Sequence, residues 1–243
     1  MRFRALLPVF LLLFLLPSLG RAQFVERGVT PLISSQIIVG QGWVSMIFLT
    51  NNNPAPMNIR IVFLQDDGSG GLFLCVGFDF SNPRAIYPFT LGPRQSTLIP
   101  ILQADVPLTQ IRQGWFSIEA MDNDGQRISP VGLTGNVKWF GWGGVSGTTL
   151  VNPNQYFSVD RADSNTALGI VNTDFLPAEV SVNVYKGNFQ VSEMKLSLGP
   201  GEKKAGLLWQ FSNDLPSLEP GYQYSVAVKV EKGGPIAVNF VKN

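Results

Sequence analysis

Histidine is absent from all 243 residues, and cysteine occurs once, at Cys75. The first absence excludes Ser-His-Asp and Cys-His catalysis, and the two together leave no Cys/His set for zinc. A single cysteine also excludes an intramolecular disulfide. Stability must then come from burial, which domains of about 100 residues can supply without covalent cross-links. Charge is scarce as well, at 14% of residues against the usual quarter or so of a globular chain. Lys and Arg are not clustered, so neither nucleic acid nor an anionic membrane is expected as a partner. Outside a short stretch near residues 104–112, no segment keeps a capped 3.6-residue apolar period, which argues against helices.

What is present begins with Arg2 and Arg4, a twelve-residue apolar block at 5–16, and the small residues Gly20 and Ala22. That order is the pattern of a secretory signal peptide over residues 1–22, with cleavage expected before Gln23. Twelve residues rise only about 18 Å as a helix, short of the roughly 30 Å hydrocarbon core. The mature chain is therefore expected to be exported with no membrane span. Removing three arginines changes eighteen bases against seventeen acids into fifteen against seventeen, a net charge of −2.

Downstream, short β-branched and aromatic runs alternate with Gly, Pro, Asn and Asp turns, the pattern of an antiparallel all-β chain. One stretch occurs twice. Asn51 and Pro56 align with Asn172 and Pro177 at an offset of 121, carrying Ile59 onto Val180 and Ile61 onto Val182. Leu91-Gly92-Pro93 matches Leu198-Gly199-Pro200 at an offset of 107, and Gly114-Trp115 matches Gly221-Tyr222. The offsets differ by 14, which places a fourteen-residue insertion in the first copy between Phe63 and Thr90.

The expected architecture is two tandem antiparallel β-sandwich domains of immunoglobulin or fibronectin-III type, at 23–140 and 148–243. The first carries an inserted apolar hairpin near 66–85, and a glycine-rich junction at 141–147 separates them. The paired Asn-Pro turns, Leu-Gly-Pro turns and Gly-Trp/Gly-Tyr strand starts resemble the tandem sandwich repeats of secreted bacterial proteins of unassigned function. The resemblance covers most of residues 36–243 and brings no active site with it.

Candidate chemistry is sparse. Asp122 and Asp124, followed by Gly125, have the spacing of a calcium loop, but a third ligand and a distal Glu are missing. Asn-Asp-Gly is equally a hairpin turn. Asp66, Asp67, Glu119, Asp122 and Asp124 are the acids available for a histidine-free glycoside hydrolysis. Nothing selects a pair among them, so no enzyme and no cofactor are expected. Interaction residues are sought instead in the two-faced apolar run of Leu72, Phe73, Leu74, Val76, Phe78 and Phe80, which reads as a covered strand or an adhesive edge. Trp139 and Trp142, beside the glycine-rich stretch, are the tryptophans best placed for exposure. The functional expectation is a secreted, non-enzymatic structural or adhesion module at the cell surface, with a protein, a glycan or a second copy as partner. A filament or surface-layer subunit built by strand addition is one alternative. A carbohydrate-binding protein or carboxylate glycosidase is the other.

Overall fold

The computed structural model describes residues 29–77, 82–102, 110–141, 144–163, 166–211 and 222–242. Residues 1–22, Phe78, Phe80 and Trp142 lie outside them. In chain order the first half contains β1 (Leu32–Val39), β2 (Val44–Asn51), β3 (Met57–Gln65), β4 (Cys75–Val76) and β5 (Ile86–Leu91). It continues with β6 (Ser96–Leu102), β7 (Arg112–Met121), β8 (Arg127–Ile128), β9 (Leu133–Gly141) and β10 (Gly144–Thr149). The second half contains β11 (Tyr156–Ala162), β12 (Thr166–Asn172), β13 (Ala178–Lys186), β14 (Phe189–Leu198), β15 (Lys203–Leu207), β16 (Tyr224–Lys232) and β17 (Ile236–Lys242). One 3-10 turn, Leu208–Phe211, follows β15, and there is no α-helix among the described residues.

The strands form four antiparallel sheets. One runs β1-β7-β3-β5, with β8 added to β7, and a second runs β10-β9-β2-β6-β4. The others are β11-β16-β13-β14 and β15-β12-β17. Seven strands of the first half (β1, β2, β3, β5, β6, β7 and β9) take the same neighbours as the seven strands of the second. The order departs from the immunoglobulin arrangement, in which the first strand lies beside the second and the seventh beside the sixth. Here β1 pairs with β7, and β9 pairs with β2. The turn between β1 and β2 explains the first exchange. Gly40, Gln41 and Gly42 all have positive φ (93°, 50° and 82°), and after a single antiparallel bridge between Gly40 and Trp43 the two strands part into different sheets.

Alternation builds the cores. On β3, Ile59, Ile61 and Phe63 are buried with Ile47, Phe116 and their neighbours in the first core. The rings of Phe63 and Phe116 meet edge-on at 6.1 Å, a geometry favoured by the aromatic quadrupole. In the second half Val180, Val182 and Val184 do the same against Ile170, Val228 and Val238.

Two sequence expectations change here. The insertion does not stand out from the fold. Leu72, Leu74 and Val76 join the first core, β4 extends the sheet beyond β6, and Leu74 bridges to Arg84. One face of this run fills the core; on the other Cys75 is buried and Phe73 is exposed. Of the stretch 141–147, the described residues are strand and not free linker: Gly141 ends β9. Gly144–Thr149 is strand β10, paired along β9 from Gly141 to Asn136. Glycine serves close approach there, since a Cβ at Gly147 would come within 2.6 Å of the Val137 carbonyl oxygen. The connection to the second half is pinned on both sides: Val151 pairs with Ile33, and Asn154 with Ile236.

Candidate functional site

The two halves meet through a third apolar cluster. Ile33 of β1, Leu64 of β3 and Trp115 of β7 pack with Val171 of β12 and Ala237 of β17. Each is the alternate of a residue that faces its own core, as Val62 and Leu64 are to Ile61 and Phe63. These strands are thus apolar on both faces because both faces are covered. Trp115, fully buried, donates its indole N–H to the Gly201 carbonyl at 3.0 Å. The Ser35 backbone N–H donates to Asn239 Oδ1 at 2.6 Å, and Asn239 Nδ2 donates on to the Thr149 carbonyl at 2.8 Å. Two glycines permit the contact: a Cβ at Gly68 would overlap the Pro200 carbonyl oxygen, and one at Gly169 would overlap Ser35 Oγ.

Lys203 crosses the same boundary. Its ammonium is nearly buried and meets three acceptors: Asp66 Oδ1 at 2.8 Å, Gln36 Oε1 at 2.7 Å and the Gly114 carbonyl at 3.1 Å. Three N–H groups and three acceptors saturate it. Burial nonetheless pushes its pKa below the ordinary lysine value, and the Asp66 carboxylate only partly opposes that shift. The charge tethers the halves and is not poised for chemistry.

Beside this tether lies a cavity of about 350 Å³ between the halves. Ser35, Gln36, Trp43, Gln113, Trp139 and Gln210 supply its polar and aromatic lining, and Leu168 and Leu207 part of its floor. None of its lining residues is charged. Trp43 rests over Gly141, where any side chain would collide with the indole. Two buried atoms of the lining, Ser35 Oγ and Trp139 Nε1, have no hydrogen-bond partner among the described residues. A second, more open cavity of about 440 Å³ continues past Gln113 and Gln210 toward Asp66 and Lys203.

The residues expected from sequence are distributed differently. Leu72, Leu74 and Val76 are core and cannot present a surface, whereas Phe73 is 59% exposed. Trp139 is 3% exposed, buried by the first core rather than displayed. Asp122 Oδ1 accepts from the backbone N–H groups of Asp124 and Gln126 at 3.0 and 2.7 Å, which makes 122–126 a closed turn. No group of three or more His, Cys, Asp or Glu able to hold a metal occurs among the described residues. The other acids are committed elsewhere. Glu119 is buried against Arg60 at 2.7 Å with Arg127 at 3.5 Å, Asp66 holds Lys203, and Asp67 accepts from the Ser69 N–H. Sequence reasoning missed Ser35, Gln36, Gln113 and Lys203, whose only sequence signal was a polar residue inside or beside an apolar strand.

No family model and no curated protein matches the chain. Among solved structures it is similar to the Anabaena sensory rhodopsin transducer, at 14% identity and a TM-score of 0.32, over 36% of this chain and 86% of that one. It is also similar to the STIV MCP, a viral capsid protein, at 9% identity and a TM-score of 0.23 over 89% of each chain. Both neighbours are β-rich. Among the described residues no helix is long and apolar enough to cross a membrane.

Proposed function

We propose that the chain is an exported, non-enzymatic interaction module: two tandem sandwich domains of one duplicated fold, joined rigidly, that associate through a free strand edge. Duplication is supported by Asn51 and Asn172. Each is fully buried, each donates from Nδ2 to three carbonyls (Ala55, Leu91 and Gly92; Leu176, Leu198 and Gly199), and each accepts from the N–H two residues on. The turns they pin are closed alike, by Gln95 Oε1 on the Gly92 N–H and by Glu202 Oε2 on the Gly199 N–H, both at 2.7 Å. Spent carboxylates and the lack of histidine support the non-enzymatic reading.

One observation carries the mode of association. Strand β14 is ten residues long, pairs with β13 on one side and ends its sheet on the other. Its exposed row is Val191, Glu193, Lys195 and Ser197, and Phe189 at its start is 79% exposed. Antiparallel pairing with a second copy, centred on Met194, sets Glu193 opposite the copy's Lys195, and Val191 opposite its Ser197. The edge is self-complementary, and opposite charges facing across a strand pair are favourable. Two other edges are blunted. Pro88 interrupts β5, and β11 is bulged between Val159 and Ala162 with Arg161 at positive φ. A contact of this symmetry closes on itself, so a dimer rather than a filament follows.

Light scattering on residues 23–243 tests the reading. Lys195→Glu and Glu193→Lys should each give a monomer, and the double exchange should restore the dimer. A wild-type protein that stays monomeric at every concentration would rule it out.

A further inference from the structure

We infer that the outer face of the sheet β10-β9-β2-β6 is a second self-association surface, which stacks on the same face of another copy of this chain. The inference adds to the interaction reading and does not rest on the β14 edge. On β2 the buried alternates are Ser45, Ile47 and Leu49, so Met46 and Phe48 point away from the first core. Strand register sets Phe48 opposite Leu98 of β6, Met46 opposite Lys138 of β9, and Phe140 of β9 opposite Val145 of β10. These residues share one face, since directly paired residues point to the same side of a sheet. Leu98 is 47% exposed and Val145 61%, and none of the five apolar residues belongs to the three apolar clusters. A contiguous apolar patch left open on a surface marks a site of association.

The duplication says what kind of surface covers such a face. Register carries Met46, Phe48, Leu98 and Asn136 onto Ala167, Gly169, Ala205 and Asn239 of the sheet β15-β12-β17. That corresponding face is covered within the chain by strand β1 of the first half: Gly169 lies against Ser35, and Asn239 accepts from the Ser35 N–H. Small side chains admit β1 there. In the first half the same face is large and apolar instead, which suits the roughly 10 Å spacing at which two sheets stack with side chains interdigitated.

Elimination then selects the like face of a second copy. The outer face of β1-β7-β3 is occupied by the chain's own second half through Ile33, Leu64 and Trp115. Its counterpart in the second half is polar: by register Ser158, Asn183 and Ser225 stand where Ile33, Val62 and Trp115 stand in the first. An apolar face laid over it would desolvate those groups without pairing them. Among the described residues the β10-β9-β2-β6 face is thus the apolar sheet face still open, and a two-fold contact brings it onto itself. Lys138 is its only charge, with the ammonium 5.5 Å from the centre of the Phe48 ring. A two-fold axis along the strands, between β2 and β9, puts each Lys138 over the other copy's β2 and keeps the two ammonium groups apart. One cation on the whole face gives an acidic protein or an anionic lipid surface little to recognise. Four strands about 4.8 Å apart, each about seven residues long at about 3.3 Å per residue, offer roughly 450 Å² a copy. A contact burying about 900 Å² from both copies lies below the standard interface size, so it is weak and reversible. Added to the β14 contact, it links dimers to dimers.

Sedimentation of residues 23–243 carrying Lys195→Glu tests the inference away from the strand edge. At micromolar concentration this protein should be a monomer, and toward roughly 1 mM it should form a reversible dimer, as a weak contact requires. The wild type over the same range should pass from dimers to larger species. Leu98→Asp and Val145→Asp replace exposed side chains and should keep the thermal midpoint while weakening the high-concentration association about ten-fold or more. Val131→Asp, at an exposed turn residue off the face, should leave it unchanged. Lys138→Met removes a charge that stacking must desolvate, and should strengthen association about three- to ten-fold. Should Lys195→Glu alter nothing, the strand-edge reading fails, and the dimer must still be lost in Leu98→Asp for the face to stand. The inference is overturned if the Lys195→Glu protein stays monomeric up to roughly 1 mM, or if neither Leu98→Asp nor Val145→Asp weakens association. It is equally overturned if Lys138→Met weakens it, the result expected of an acidic partner surface, or if the face binds lipid vesicles in a protein that does not self-associate.

Discussion

Replacing Trp115 by alanine tests whether the two halves of the chain hold together as one unit or merely touch. The side chain is fully buried, yet it belongs to neither half's own core, packing instead with Ile33, Leu64, Val171 and Ala237 between them. Excising a buried tryptophan costs about 3–5 kcal/mol, and the Gly201 carbonyl left without its 3.0 Å donor adds roughly 1 kcal/mol. Against a typical domain stability of about 5–15 kcal/mol, that loss is large enough to end the coupling between halves. Wild-type residues 23–243 should unfold in urea in one transition by far-UV circular dichroism. The Trp115→Ala protein should show two, each with a smaller denaturant slope, because the halves then expose their surfaces separately. Phe63→Ala removes a comparably buried aromatic from the first core and serves as the control, since it should lower stability without splitting a welded transition. If Trp115→Ala unfolds in a single step at the wild-type midpoint, the third cluster is not what joins the halves.

Two further outcomes follow from particular residues. Asn51→Ala and Asn172→Ala should each cost about 2–3 kcal/mol, because buried carbonyls lose their donor, and the two losses should agree within about 0.5 kcal/mol by chemical denaturation. A large inequality would mean that the matched geometry does not carry matched energy. The pH dependence set by Lys203 has a definite sign. Its folded pKa lies below that of the unfolded chain, so between the two values the unfolded state holds a proton that the folded state has shed. Stability relative to Lys203→Met should therefore rise as pH climbs toward about 10.5 and be level below the window; a difference curve that is flat throughout would show that burial is not perturbing this ammonium.

Much of the fold could be read from turn chemistry. Asn51 and Asn172, the two Leu-Gly-Pro corners and the fourteen-residue offset all sit at corresponding places, because each is a local solution to a backbone that must reverse with buried carbonyls to satisfy. Residues 66–77 and 82–85 lie between β3 and β5, where the second half has only the turn from β13 to β14. What escaped was anything decided by a distant neighbour. Leu72 to Val76 reads as adhesive because a strand with two apolar faces has the same sequence whether its second face is covered by its own domain or by another. The glycines at 144 and 147 suggest slack, but at Gly147 the missing side chain admits the neighbouring strand. Strand order was equally invisible, since period-two patterning says which face is inward and nothing about which sheet β1 enters.

The candidate site was least legible for the same reason. Gln36, Asp66, Gly114 and Lys203 have no common spacing, yet three of them saturate one buried ammonium of the fourth. That tether bears on the cavity beside it. A ligand held between two domains binds well only if the domains are already in place, since ordering them on binding would consume affinity. The third apolar cluster, the Lys203 tether and the Ser35–Asn239–Thr149 bonds fix the two walls before any ligand arrives. The shape of the cavity is thus set by the junction itself and does not wait on an occupant.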